Sequence, residues 1–505
     1  MKRKNILLIT SDQQHWFTMG YLNPEIKTPN LDRLAARGTV FSRGYTVNPT
    51  CTPTRASMIT GTYPSQHGAW SLGTKLPETE LTVGELLRGE GYRTALIGKA
   101  HFQQLLDHPD YRSIESNPHQ QDLDWWRKFT GPFYGFERAE LCRNHADEYH
   151  VGQHYAIWME DKKGFKDWRD YYWKPAGRVD AGSQQYSWDL PQEYHYNTWI
   201  AERSCELLEQ YKQDDERFFL WASFPDPHPP YLVPEPWASM YDPDTLTVPD
   251  VVEGEHDHNP DHFKLTQEVK PDFSAWQEPD GHAMHGFASH RRTRAQRARN
   301  LAVYYGMVSF MDKCIGDILD KLEETALVED TLVVFTTDHG HFMGQHGLNA
   351  KGAFLYEDMI KLPYLVSLPG VVPAGVTSDA LQSVVDLAPT FLAAAGLGVP
   401  RTMTGVNQWD VWQGKRERVR DHVLVENHHQ PTTINQRCYV DTRYKITVYQ
   451  AQDYGELFDL ENDPEELHNL WDDPAAVELK QRLLLKLVQA ELAKEPMWMP
   501  RVACA

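Results

Sequence analysis

The stretch KNILLITSDQQ, residues 4–14, sets a continuous apolar run, Ile6 to Ile9, directly before Asp12 and Gln13. A run this short, closed by polar residues, reads as a strand buried on both faces. The same arrangement recurs three times. YRTALIG (92–98) leads into Lys99 and His101; RFFLWASF (217–224) leads into PDPHPPY with His228; TLVVFTT (331–337) leads into Asp338 and His339. Helix-period segments lie near these runs. LTVGELLRGEG reads as a helix ending at Gly91, Tyr196 to Tyr211 as a second, and about Gln296 to Thr325 as a long third with Val303, Met307, Phe310, Ile315 and Leu319 on its apolar positions. Strands alternating with helices predict an α/β fold. Such sheets bind ligands outside the carboxyl ends of their strands. Any one Asp or His in this set is by itself an ordinary solvated strand-end residue. Four strand ends agreeing point to one crevice.

Composition limits what that crevice binds. The chain has 505 residues, 41% hydrophobic and 24% charged, with a formal net charge of −21. That excess of acid argues against nucleic acid or an anionic membrane as partner, and it requires an anionic substrate to be held by local cations. The apolar run near the N-terminus is too short for a signal-peptide core or a membrane span, so the expectation is a soluble, cytoplasmic protein. Cys51, Cys142, Cys205, Cys314, Cys438 and Cys504 show no C-x-x-C spacing. Neither a zinc framework nor a disulfide framework is expected.

Between about Leu105 and Leu190 the periodicity fades and Trp125, Trp126, Trp158, Trp168, Trp173 and Trp188 crowd in. This predicts an irregular insertion, either a lid or pocket wall or a surface excursion packed on itself. A second polar excursion covers about Asp250 to Arg294. From Gly414 onward, short β-type runs and a helix from about Pro474 to Lys494 predict a small α+β unit. The division is therefore 1–413 and 414–505, the second an ordinary size for an appended domain. The ending EPMWMPRVACA is apolar for a tail and predicts docking, on its own subunit or on a neighbour in a homo-oligomer.

Asp12, Asp338 and His339, with the amide oxygen of Gln13, form a candidate ligand set for one divalent ion. Carboxylate and carbonyl oxygens suit Ca²⁺, Mg²⁺ or Mn²⁺. Within His339, His341 and His346, the flanking glycines and alternate spacing make the last two loop residues behind the site rather than zinc ligands. In NPTCTPTRASMITG (48–61), Pro53 and the residues after it predict a helix starting at Cys51. A helix start favours negative charge, so the thiol is expected to be reactive even unmodified, with Arg55 one turn on. A buried small residue at a helix start is the plain alternative.

CTPTR followed by ASMITG matches the signature of the sulfatase family, in which C-x-P-x-R directs oxidation of the cysteine to formylglycine. GYRTALIGKAH (91–101) resembles the family's second signature, and TTDHGHFMGQHG (336–347) its distal metal segment. Ordered matches of this length are specific. The resemblance implies an alkaline-phosphatase-like large mixed sheet flanked by helices, with a smaller C-terminal α+β domain. It further implies a formylglycine-generating maturation enzyme as partner, one divalent metal (Ca²⁺ first, Mn²⁺ or Mg²⁺ as alternatives), and hydrolysis of sulfate monoesters in the manner of an arylsulfatase. Carried over, Cys51 becomes the nucleophile and a metal ligand with Asp12, Gln13, Asp338 and His339. Lys99 and Lys351 clamp the sulfuryl oxygens, His228 protonates the leaving alkoxide, His101 takes a proton as sulfate leaves, and Arg55 positions the nucleophile. The pairs Asp12–Gln13 and Asp338–His339 resemble choline sulfatases and phosphonate monoester hydrolases, which keeps phosphonate monoesters and phosphate diesters as alternative substrates. Retention of Lys99 and His101 is sulfatase-like. Ala100 stands where relatives carry a larger residue, and Gly73 removes a side chain that relatives place against substrate. A non-catalytic protein that never modifies Cys51 is the reading from another class.

Overall fold

The computed structural model describes residues 4–143, 151–162, 168–173, 185–276, 285–428 and 433–504. An eight-stranded sheet organises the larger part. Its strands are β1 (Asn5–Ser11), β2 (Thr39–Phe41), β3 (Arg93–Gly98), β4 (Arg138–Leu141), β5 (Phe218–Ser223), β6 (Thr331–Thr337), β7 (Tyr364–Ser367) and β8 (Val376–Ser378). They lie in the order β8-β2-β7-β6-β1-β5-β3-β4. The five from β6 to β4 run parallel, whereas β7 is antiparallel to both of its neighbours, which makes the sheet mixed.

All seven residues of β1 are buried, as its apolar run requires. Leu7 and Ile9 face a core built with the helices Tyr196–Gln213 and Arg294–Glu324, while Ile6 and Leu8 face the opposite core, shared with the helix Cys51–Thr60. Alternate residues of one strand thus seed two layers. The helix expected to end at Gly91 covers Val83–Gly89, and Gly91 follows in the left-handed region at φ +84°.

Register aligns the strand ends. Ser11 pairs with Thr337, Thr10 with Ser223, and Gly98 with both Ser223 and Leu141. Gly98 sits at φ +111°, where an added Cβ would lie 1.9 Å from the Ser223 carbonyl oxygen, so the chain leaving β3 passes against β5 only because no side chain intervenes.

The aromatic stretch does more than a lid or a surface excursion. It contributes the edge strand β4, and Trp126, Trp168 and Trp188 are buried in the two cores. Part of that stretch, including 174–184, lies outside the described residues. The C-terminal part is a four-stranded antiparallel sheet of β9 (Val423–His428), β10 (Asn435–Val440), β11 (Tyr444–Tyr449) and β12 (Gly455–Asp459), followed by the helix Val477–Ala493. Val423, Val425, Cys438 and Val440 share a core with Tyr45, Phe342 and Met359 of the larger part. The expected docking of the tail on its own subunit is not what the structure has: Trp498 is 72% exposed, with Met497, Met499 and Val502 similarly open. Pro496 and Pro500 interrupt the helix-forming run, so the tail cannot extend the last helix back along the surface. Among the described residues no helix is long and apolar enough to cross a membrane.

Candidate active site

The helix Cys51–Thr60 is buried at every position, and Cys51 is its first residue. Asn48 sets up the entry, its Oδ1 accepting from the backbone N–H of Thr50 at 2.8 Å and from the Thr50 hydroxyl at 2.6 Å. Cys51 Sγ lies 3.2 Å from His339 Nε2, 3.4 Å from Lys351 Nζ and 3.7 Å from Asp12 Oδ1. The strand ends and the helix start therefore meet, as their sequence positions predict.

Arg55 ties the carboxylates together. Its Nε donates to Asp338 Oδ2 at 2.8 Å, its Nη2 to Asp12 Oδ2 at 3.2 Å, and its Nη1 to Ser223 Oγ at 2.8 Å and the Lys99 carbonyl at 3.0 Å. Lys99 Nζ forms an ion pair with Asp12 Oδ2, and both side chains are fully buried. Burial opposes the charge of Asp12, but Lys99 and then Arg55 overcome it and hold the carboxyl well below the usual carboxylate range. Asp338 Oδ1 accepts from the backbone N–H groups of Gln13 at 3.0 Å and His339 at 2.9 Å.

The thiol corrects one expectation. Burial, and after it the Asp12 carboxylate, push Cys51 up to about 11, more than Lys351 and Lys99 bring it down. Cys51 is thus a neutral thiol, not the reactive thiolate that a helix start suggests. Burial is the largest influence on the sulfur, and charged neighbours of both signs act after it.

The donors Asp12, Cys51, Asp338 and His339 lie within 4.8 Å of one another, all buried. Gln13 adds a more specific observation. Its Nε2 donates to His341 Nδ1 at 2.7 Å, while its buried Oε1 has no hydrogen-bond partner among the described residues. An amide oxygen left so, beside two carboxylates, fits a hard divalent cation. Burial pushes His341 well below its ordinary pKa and keeps it neutral. The ring passes its other nitrogen to the Tyr231 hydroxyl at 2.6 Å and stacks on Tyr304 at 4.9 Å and 7°. His346 lies elsewhere, between Glu255 and Asp358. His341 and His346 thus lie outside the group formed by Asp12, Cys51, Asp338 and His339.

His228 Nε2 is 3.2 Å from Lys351 Nζ, and its Nδ1 is 2.6 Å from the Pro229 carbonyl oxygen. Burial first and Lys351 second hold the imidazole well below its ordinary pKa. His101 and Gln13, at φ +57° and +60°, occupy the left-handed region, a costly conformation for side-chain-bearing residues that concentrates at functional sites. Glu115 holds the His101 turn by accepting from the backbone N–H groups of His101, Phe102 and Gln103 at 2.7, 2.8 and 3.0 Å.

Sequence reading missed Glu115, which lies in the aperiodic stretch. It also missed Asp226, whose carbonyl accepts from the Asp12 N–H at 3.0 Å and whose carboxylate accepts from Tyr196 and from Asn197 Nδ2, the latter at 2.7 Å. Its place two residues before His228 in PDPHPPY was the available signal. His67, in the stretch where relatives contact substrate, is buried with Nε2 3.0 Å from Ser57 Oγ.

A mixed α/β sheet whose strand ends bring two carboxylates, a histidine and a lysine to a buried cysteine at a helix start, with a second lysine from a loop, is the arrangement of an anionic-ester hydrolase. Residues 4–397 match the family model described as Sulfatase, and residues 344–493 match the one described as N-sulphoglucosamine sulphohydrolase, C-terminal. The chain belongs to the sulfatase family, whose members are sulfuric ester hydrolases. It is 28% identical over 485 residues to the uncharacterized sulfatase YidJ of Escherichia coli K12, covering 96% of this chain and 86% of that protein. Two solved structures are similar along nearly the whole length. A phosphonate monoester hydrolase from Silicibacter pomeroyi has a TM-score of 0.80 at 23% identity, covering 98% of this chain and 96% of that one. The phosphonate monoester hydrolase of Agrobacterium radiobacter has a TM-score of 0.78 at 25% identity, with the same coverage of 98% and 96%.

Proposed function

We propose that this protein hydrolyses sulfate monoesters, arylsulfatase-like in reach, with a formylglycine nucleophile made from Cys51 by a maturation enzyme. The observation that carries the proposal is the position of Cys51 Sγ, within 3.4 Å of Lys351 Nζ and 3.2 Å of His339 Nε2 at the first turn of a buried helix. Since burial keeps the thiol protonated, oxidation to an aldehyde is the route by which this position gains a strong nucleophile. Asp12, Gln13, Asp338 and His339, with residue 51, would hold one divalent ion, Ca²⁺ first and Mn²⁺ or Mg²⁺ as alternatives. Such an ion lowers the pKa of a bound hydroxyl and neutralises ester oxygens.

The chain's own residues do the rest. Lys351 and Lys99 bind the sulfuryl oxygens and supply the cations that the acidic surface withholds. Arg55 fixes Asp12 and Asp338 and so the approach of the nucleophile. An arriving anion favours the charged imidazole of His228 against the burial and the Lys351 charge that otherwise keep it neutral, and that imidazole donates to the departing alkoxide. His101 then takes the proton whose loss lets sulfate leave and the aldehyde re-form.

A second reading is hydrolysis of phosphonate monoesters or phosphate diesters at the same site. It is supported by the Gln13 and His339 ligand types and by the likeness to the Agrobacterium radiobacter enzyme. The test has two parts. The tryptic peptide ending at Arg55 is expected to carry an aldehyde in protein co-produced with a maturation enzyme, and a thiol in every preparation would remove the mechanism. Rates on aryl sulfates are expected to exceed those on phenyl phenylphosphonate, and a large phosphonate preference would replace the first reading by the second.

A further inference from the structure

The outer side of the crevice is bordered by β4, and Arg143 is the charged residue that leaves that strand. Gly98 pairs with Leu141, and the Cys142 N–H continues the ladder to the Gly98 carbonyl at 3.0 Å. Two residues past Leu141, Arg143 reaches the turn that follows Lys99, at Gln103 and Glu115. Its side chain is fully buried. Only Nη1 is engaged: it donates to the Gln103 carbonyl at 3.2 Å and lies 3.6 Å from Glu115, whose oxygens already accept three backbone N–H groups. Among the described residues Nε and Nη2 have no acceptor.

Those two nitrogens form the edge of a guanidinium that grips a carboxylate through two parallel hydrogen bonds. Other arginines of this molecule use the edge that way. Arg203 holds Glu140 at 2.8 and 2.9 Å, and Arg443 holds Asp459 at 3.0 and 2.7 Å. A buried charged donor without an acceptor is costly, so its retention needs a reason. Burial brings Arg143 down to about 10, and after Glu115 the groups that resist this shift are Cys51 and Asp12, so the guanidinium stands within electrostatic reach of the site.

We infer that the Nε–Nη2 edge of Arg143 binds a second anionic group of the substrate, a carboxylate or sulfate on the alcohol half of the ester. The inference rests on the reading of the Cys51 crevice as an ester-hydrolysing site. The scissile group is already served by Lys99 and Lys351, whereas Arg143 leaves the next strand out, about 4.8 Å further along the sheet. The substrate class is therefore a doubly anionic ester, with the two groups spaced about one strand apart.

The experiment compares 3-carboxyphenyl sulfate with its neutral methyl ester on matured wild type, Arg143→Gln and Arg143→Lys. Wild type is expected to favour the carboxylate, and both variants to lose about 30-fold of that preference, mainly in KM. That loss corresponds to about 2 kcal/mol for a charge-assisted pair. Arg143→Lys falls too because an ammonium keeps the charge without the fork. An unchanged ratio in both variants overturns the inference. Calorimetry on wild type with the product 3-hydroxybenzoate and its methyl ester needs neither turnover nor a folded variant. With sulfate present to occupy Lys99 and Lys351, tighter binding of the carboxylate supports the Arg143 site, and equal binding overturns it. Carboxylate binding without sulfate hydrolysis strikes the hydrolase reading alone.

Discussion

Two buried charged clusters lie within a few residues of each other along the loop after β6, and they differ in completeness. Around His346 every ionisable group finds its partner inside the protein. His346 bonds to Glu255 and lies 3.3 Å from Asp358, Asp358 takes His15 at 2.7 Å, and the His346 ring stacks on Tyr356 at 3.6 Å. Around Cys51 the groups are as deeply buried, yet Gln13 Oε1 and two nitrogens of Arg143 are left over. Charge and burial are common to both clusters. Closure separates them: the first cluster fastens the 255–268 segment to the fold, and the second leaves an acceptor and two donors without a partner among the described residues.

The largest expected effect comes from breaking the closed cluster. Replacing His346 with Leu leaves Glu255 buried without its cation and Asp358 with His15 alone, and removing one partner of a buried pair costs about 3–5 kcal/mol. Urea unfolding is expected to show that loss, with binding of Mn²⁺ to the folded protein unchanged. A variant of normal stability that has lost Mn²⁺ binding would reverse the assignment of the two clusters.

Titrating the same cluster is the next test. Burial disfavours the charge on His346, but Asp358 and Glu255 outweigh it and raise the group from 6.5 to about 9. The fold therefore prefers the protonated ring. Its contribution is full below about pH 6.5 and disappears as pH rises through about 9, a change of about 3 kcal/mol at 1.36 kcal/mol per unit. Wild type should lose that much stability relative to His346→Gln between pH 6 and 10. Parallel pH profiles for the two proteins would place the charge elsewhere.

The same contrast explains what the sequence could reveal. Buried parallel strands are continuous apolar runs, so β1, β3, β5 and β6 were legible, and with them Asp12, Lys99, His228 and Asp338 at their ends. Strand β4 was not, because RAEL is short, half polar and set among tryptophans whose packing depends on partners distant in sequence. Arg143 and Glu115 were hidden with it. His341 and His346 have the same residue type five positions apart, and nothing local says that one meets Gln13 while the other meets Glu255. The reactivity expected of the Cys51 thiol failed for a related reason: a helix start is visible in sequence, whereas full burial beside Asp12 is not.

The smallest effect should come from His341, which touches the site only through Gln13. An amide can present either its oxygen or its NH₂, and here the choice follows from the partner. Neutral His341 accepts the Gln13 Nε2–H at Nδ1 and places its own proton on Nε2, toward the Tyr231 hydroxyl, while Tyr304 holds the ring from its face and accepts the His15 N–H at 2.9 Å. Such outer partners are typically worth about 10–100-fold in metal affinity. His341→Leu removes the acceptor, frees the amide to turn, and is expected to weaken Mn²⁺ binding by about 10-fold in a calorimetric titration. Tyr231→Phe, which leaves the His341 nitrogen facing Gln13 in place, should weaken it less. If His341→Leu binds Mn²⁺ as wild type does, the Gln13 oxygen is oriented by the backbone at φ +60° alone, and the open cluster is held by fewer contacts than its geometry implies.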